Sequence, residues 1–311
     1  MLIKAIVAQL LLLAFVTGWL ILSRRRTSID AVLQFGTAFL LLAGLAAGGV
    51  WVYPPLYYAA PVALLWTFLL WRELNRPPGP RTRPVAVLSN LPVAALLPLA
   101  GFLIWQGVSG RLAPNGPVVD LASPFSPDAK ACVLSGGTSP LLNLHNFPSD
   151  DPGDIAQRYA LDFVITRADG FRTRNGYTLN PKPQAIEAYS TFGAPVFAPC
   201  DGMVAASENM RPDEPIGGSD RSFTAGNFVV LQCGAHHIHL HHFQEGGVAV
   251  ETGDVVRKGD FLGRIGNSGN TREPHLHFHA ETIVDPEDAS LDGEPVHMRF
   301  DGRFLARGSC L

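Results

Sequence analysis

The first 110 residues of this 311-residue chain have almost no charge: before position 120 the only acidic residues are Asp30 and Glu73, against nine basic ones. Those nine are Lys4, Arg24, Arg25, Arg26, Arg72, Arg76, Arg81, Arg83 and Arg111. Histidine and cysteine are absent up to Arg111, so the side chains most used for metal and thiol chemistry are missing from that half. No ionisable residue sits in the middle of its apolar runs, which leaves a transport pathway without support. The second half lacks an excess of positive charge. From residue 120 onward 25 acidic residues stand against 15 basic ones, which argues against nucleic acid as a partner. Cys132, Cys200, Cys233 and Cys310 show no CxxC spacing, which argues against a structural zinc knuckle. They are either buried thiols or two disulfides in one of three pairings.

What the first half does contain is long uncharged runs. Ala5 to Ser23 is one, of nearly the length a helix needs to cross a bilayer. Ala31 to Trp71 is a second, divided at Tyr53-Pro54-Pro55, where proline breaks helical hydrogen bonding. Pro84 to Gly110 is the last; it contains Pro92 and Pro98, so its regular helix is expected mostly after Leu97. The expectation is an α-helical transmembrane anchor of about four spans, near residues 5–23, 31–53, 55–71 and 88–108, in contact with the lipid bilayer. Trp51, Tyr53, Tyr57 and Tyr58 suit the membrane interface, and Arg72 would snorkel from the short third span. The basic clusters Arg24 to Arg26 and Arg72 to Arg83 fall in alternate loops and should face the cytoplasm, which puts the C-terminal half on the extracytoplasmic side of the inner membrane. A cleaved signal peptide fits less well, because the basic cluster follows the first apolar run instead of preceding it.

Residues 111–129 are rich in Pro, Gly and Ser and read as a linker, with a domain over 130–311. That domain is strand-like, with runs at Phe163 to Thr166, Met203 to Ala206, Phe228 to Leu231 and Phe261 to Ile265. Turn dipeptides such as Asp169-Gly170, Asn175-Gly176, Asp201-Gly202 and Gly253-Asp254 separate them, and no segment keeps a helical period for three turns. An all-β sandwich or barrel is expected.

Within it, Gly266-Asn267-Ser268-Gly269-Asn270 precedes Pro274-His275-Leu276-His277-Phe278-His279. Strand residues two apart share a face, so His275 and His277 project together, an arrangement that suits one metal ligand and one catalytic base. The segment from Gly266 to Phe278 resembles the signature of the M23 family of zinc peptidases, the lysostaphin and LytM group. The likeness continues through Gly193 to Val196, Ala198 to Gly202 and Gly253 to Gly259, and spans roughly residues 130–300. The resemblance implies the duplicated hybrid, barrel-sandwich fold of that family, a Zn2+ cofactor, His277 as ligand and His275 as the residue acting on water. It also implies a further catalytic histidine from the run His236 to His242. The family's residue stands before Leu or Phe, which selects His242; period two would put it with Leu240 and Ile238, away from His237, His239 and His241, unless a bulge exchanges the faces and brings in His241. The rest of that run reads as a solvated or adventitiously metal-binding strand.

One departure matters. Members carry histidine four residues before a ligating aspartate, with glycine between, whereas Asp162 here is preceded by Arg158 and Ala160. Arginine cannot bind zinc, and a catalytic zinc takes three protein ligands. His145, the only histidine N-terminal to Asp162, is the expected replacement, which gives His145, Asp162 and His277 as metal ligands with His275 and His242 catalytic. His242 would donate to the oxyanion, and the loops from Asp150 to Gln157 and from Asp213 to Gly226 would wall a groove. The expected function is a zinc metalloendopeptidase acting on peptidoglycan peptide cross-links or, second, on an envelope protein. Two other classes compete: a non-catalytic M23-like binding module, and a swinging-arm carrier domain, which would need a lysine at an exposed hairpin tip.

Overall fold

The computed structural model of the chain describes residues 2–23, 27–49, 51, 56–75, 83–174, 185–283 and 293–311. They form two compact units, Met1–Ser109 and Gly110–Leu311.

The first unit is helical: α1 Leu2–Leu22, α2 Ser28–Gly48, α3 Ala59–Leu74 behind a 3-10 turn at Leu56–Tyr58, and α4 Arg83–Ser109. α2 starts at a capping box, in which Thr27 Oγ1 accepts from the Asp30 amide and Asp30 accepts from the Thr27 amide. α2 and α4 pack closely. A Cβ on Gly44 would lie 2.9 Å from Leu103 Cβ, so the contact requires glycine there. Val16, Leu20, Phe35, Leu41 and Trp66 fill the centre, while Leu11, Leu22, Leu64, Trp71, Leu91 and Trp105 face outward.

Among the described residues, two helices are able by length and hydropathy to cross a membrane, Ser28–Gly48 and Leu88–Ser109; the apolar stretch Ile6–Leu22 is shorter, and α3 has 16 residues. The expectation of four full spans is thus reduced to two that meet this measure. The expected helix start after Leu97 is corrected as well, since α4 runs from Arg83 through Pro92 and Pro98. Near Pro92 side chains from other helices reach the α4 backbone: Trp19 Nε1 (2.9 Å) and Gln34 Nε2 (3.3 Å) donate to the Ser89 carbonyl. Arg24 to Arg26, Arg76, Arg81, the Tyr53-Pro54-Pro55 step and Asn175-Gly176 lie outside the described residues.

The second unit is β-rich. Its strands are β1 Val118–Leu121, β2 Ala131–Ser135, β3 Leu161–Ile165, β4 Pro195–Phe197, β5 Gly202–Glu208, β6 Asn227–Cys233, β7 His236–Val248, β8 Val255–Val256, β9 Phe261–Ile265, β10 Leu276–Thr282, β11 Pro295–Phe300 and β12 Arg303–Phe304. The strand-like runs read from the sequence fall on β3, β5, β6 and β9. A five-residue helix, α5 Pro152–Ala156, follows the Asp151 cap. The strands form one sheet in the order β1-β11-β10-β7-β6-β5-β8. β3 also joins β10, and β9 joins the far end of β7. Phe163, Val229, Leu231, Ile238, Leu240, Phe243, Leu276, Phe278 and Phe300 form the core beneath it. Of the three possible cysteine pairings the chain forms Cys132–Cys310 and Cys200–Cys233.

Candidate metal centre

β10 lies between β3 and β7, in register His277↔Asp162 on one side and His277↔His241 on the other. Leu276 and Phe278 point into the core, so His277 points to the opposite face beside Asp162. There the His277 Nδ1 lies 3.1 Å from Asp162 Oδ1, and His145 Nε2 lies 3.1 Å from both oxygens of the same carboxylate. One donor atom from each of the three side chains falls within 4.8 Å of the others, a separation that a single ion can bridge. Two imidazoles and a carboxylate are the donor set of a three-ligand zinc site, so the residues fit that ion.

His145 is held in a loop by a residue the sequence reading passed over. Asn143 is fully buried; its Oδ1 accepts from the His145 amide (2.9 Å), and its Nδ2 donates to the carbonyls of Gly137, Arg158 and Ala160 (3.0–3.2 Å). One amide side chain therefore ties the His145 loop to the segment that enters β3 and carries Asp162. Ser135 Oγ adds a bond from the Leu144 amide. Only a buried asparagine two residues before the histidine could have signalled this.

His275 stands just ahead of β10, with Nε2 3.7 Å from Asp162 Oδ1. Its Nδ1 is 2.9 Å from the Glu273 carbonyl and 3.0 Å from Thr271 Oγ1. Because a carbonyl only accepts, Nδ1 carries the proton and the lone pair is on Nε2.

At His242 simple alternation fails. β6 pairs Asn227 with Phe243 and Phe228 with His241, skipping His242, whose φ is +68°. This bulge overturns the expectation that His242 shares a face with Leu240: its ring lies 4.7 Å from His275 and 5.9 Å from His277. A left-handed non-glycine residue costs about 1–2 kcal/mol. Three hydrogen bonds hold it: His242 N to Ala225 O (3.1 Å), Gly266 N to His242 O (2.9 Å), and His242 Nδ1–H to Ser268 O (2.8 Å). Ser268 belongs to the Gly266–Asn270 turn and in turn receives the Asn227 amide on Oγ (2.8 Å). Gly226 lets the chain pass that turn, since a Cβ there would meet the Ser268 backbone at 2.3 Å. The loop from Asp213 to Gly226 is bonded onto the same turn, through Asp213 Oδ1 to Asn267 N (2.6 Å) and Glu214 N to Asn267 O (2.9 Å).

The Ser268 bond sets how His242 could take its expected role. With its proton on Nδ1, neutral His242 has only a lone pair at Nε2, so it accepts there and donates to an oxyanion only after gaining a second proton. Burial, then the charges of His275 and His277, pushes its pKa well below the usual value, which keeps it neutral. Burial likewise lowers His277 to about 4, against its bond to Asp162. For His145 burial favours the neutral ring, but the charge and hydrogen bond of Asp162 outweigh it and raise the pKa. Burial pulls Asp162 up, while His145 and His275 together hold it well below the carboxylate range. The buried Arg307, lowered to about 10 chiefly by burial, is a further cation acting on Asp162 that sequence reasoning missed.

Of the remaining histidines of β7, His237, His239 and His241 do not lie on a solvated face, one of the two readings expected for them: they are 1%, 1% and 5% exposed. β10 covers one edge of their strand and β6 the other, and the His241 ring stacks on His277 at 5.1 Å.

Residues 182–296 match the model described as Peptidase family M23. Two of the three donors, His145 and Asp162, lie before that segment. The chain is 29% identical over 138 residues to the peptidoglycan DD-endopeptidase ShyA of Vibrio cholerae serotype O1, an alignment covering 41% of this chain and 27% of that protein's length. Among solved structures, the catalytic domain of the antimicrobial peptidase lysostaphin from Staphylococcus simulans aligns at 22% identity, covering 39% of this chain and 86% of that one, with a TM-score of 0.25. A zinc-containing peptidase from Vibrio cholerae aligns at 20% identity, covering 42% and 50%, with a TM-score of 0.23.

Proposed function

Because the C-terminal unit carries a peptidase M23 domain, we propose that this chain is a zinc-dependent endopeptidase, anchored in the cell membrane by its helical unit, that cleaves peptide cross-links of peptidoglycan outside it. The observation that carries this reading is the convergence of His145 Nε2, the Asp162 carboxylate and His277 Nδ1 beside two further imidazoles, His275 and His242, whose Nδ1 atoms are each bonded to a backbone carbonyl. His145, Asp162 and His277 would hold the ion. Zinc bound there supplies Lewis acidity, which polarises a carbonyl and makes water a better nucleophile at neutral pH.

The chain's own groups supply the proton chemistry. His275 Nε2 accepts a proton from the attacking water, and its Nδ1 bond to Glu273 O keeps the ring in the accepting tautomer. His242, 4.7 Å from His275, offers a second acceptor. Once protonated, either ring donates, to the leaving amine or to the oxyanion. The Asp213 to Gly226 loop lies over the turn that positions His242 and would form one wall of the peptide groove. Peptidoglycan is the first substrate class because the curated relative is a peptidoglycan endopeptidase and because two disulfides suit an oxidising compartment.

The test uses full-length protein in detergent and purified sacculi. His275→Ala should abolish peptide cleavage while retaining bound zinc, and His277→Ala should lose both. Near-normal cleavage by His275→Ala would remove that residue from the mechanism.

A further inference from the structure

Two strand pairs beyond the proposed centre, the same face of the sheet holds a second set of ligand-type side chains that this chemistry does not use. The β7–β10 register places His241 opposite His277, His239 opposite His279 and His237 opposite Glu281. The residues between them, Leu240, Ile238, Phe278 and Ala280, go to the core, so all six polar side chains share the other face. At Glu281 and His239 that face is as dry as the core, each being 1% exposed. Burying a carboxylate among imidazoles costs several kcal/mol unless something binds them together.

The donor atoms of His237, His239 and Glu281 lie within 4.8 Å of one another, as do those of the first group. His239 Nε2 and Glu281 Oε1 are 2.8 Å apart, and Glu281 Oε2 accepts from the Gly293 amide at 3.2 Å, which fixes the carboxylate. His279 lies flat on His239, ring centres 4.4 Å apart, and its Nδ1 is 3.0 Å from His277 Nε2. Its own Nε2 is buried with no hydrogen-bond partner, a further nitrogen beside the group.

We propose that His237, His239 and Glu281 form a second, closed binding site for a zinc-class transition-metal ion. Two imidazoles and a carboxylate suit zinc better than calcium or magnesium, which take oxygen ligands. His279 lies between the two groups, and at about 3.4 Å per strand residue their centres lie roughly 10 Å apart. Two-metal hydrolytic sites hold their ions about 4 Å apart, so this ion would not share the substrate. Its role is structural: it ties β7 to β10, the strands that carry His242 and His277, at the end away from the reaction. The inference does not depend on the peptidase reading, because it concerns only metal content.

The test counts zinc per chain by mass spectrometry on full-length protein purified without a polyhistidine tag and dialysed against metal-free buffer. Wild type should hold two ions and Asp162→Ala one, and Asp162→Ala combined with Glu281→Gln none. His237→Asn in the Asp162→Ala background should act like Glu281→Gln and serves if the latter does not fold. Cobalt substituted into Asp162→Ala should show the visible absorption of a tetrahedral site. An Asp162→Ala protein that holds no zinc, or one whose remaining zinc survives both Glu281→Gln and His237→Asn, would overturn the proposal.

Discussion

A buried neutral imidazole ties the stability of this domain to pH. His277, His242, His241 and His279 all have pKa values depressed by burial first and by neighbouring histidines second. A depressed histidine favours the folded state above its unfolded pKa, about 6.5, and that contribution is lost as pH falls toward the folded value. For His277, lowered to about 4, the loss amounts to about 3 kcal/mol. His145 works the other way: its raised pKa adds stability below about 6.5 that disappears as pH rises through the folded value. Four depressed rings outweigh one raised ring. The metal-free protein should therefore unfold at a lower denaturant concentration at pH 5 than at pH 7.5, and His145→Ala should widen that gap. A midpoint unchanged between the two pH values would contradict this account of the site.

At the scale of elements, legibility in the sequence followed local periodicity. The pair His275 and His277 was readable because two-residue alternation places both on one face, and the strand-like runs at β3, β5, β6 and β9 were readable as short runs between turn dipeptides. His242 was selected by the resemblance but not by alternation, because its position depends on a bulge held by Ser268, 26 residues away. The buried state of His237 and His239 was equally hidden: a polar strand looks solvated until the register of β7 against β10 is known. The same limit applied to α4, where Pro92 read as a helix breaker and the side chains that reach that stretch of backbone, Trp19 and Gln34, come from other helices. The topology proposed for the helices rests on alternating basic loops. A reporter fused after Gly110 should be exposed outside the membrane and one fused after Arg76 should be cytoplasmic, whereas the reverse labelling would refute that orientation.

For the whole molecule, the disulfides and the helical unit both fit the membrane-anchored, extracytoplasmic placement proposed above. Cys132–Cys310 closes a loop of 178 residues, so it restricts the unfolded chain strongly, on the order of 5 kcal/mol in the chain-entropy model. Such a bond persists outside the cytoplasm, where an anchored hydrolase would meet peptidoglycan. The first unit, with Leu11, Leu64 and Trp105 facing outward, supplies an apolar exterior suited to lipid. The central claim is that the His145, Asp162 and His277 centre gives this assembly metal-dependent hydrolysis. Its most direct test is the release of free amino groups from purified sacculi by the full-length protein, measured before chelation, after chelation and after zinc is restored. The account predicts release that stops on chelation and returns with zinc in wild type but not in Asp162→Ala. Zinc-loaded wild type that binds sacculi and releases no amines, or release that chelation leaves untouched, would contradict it.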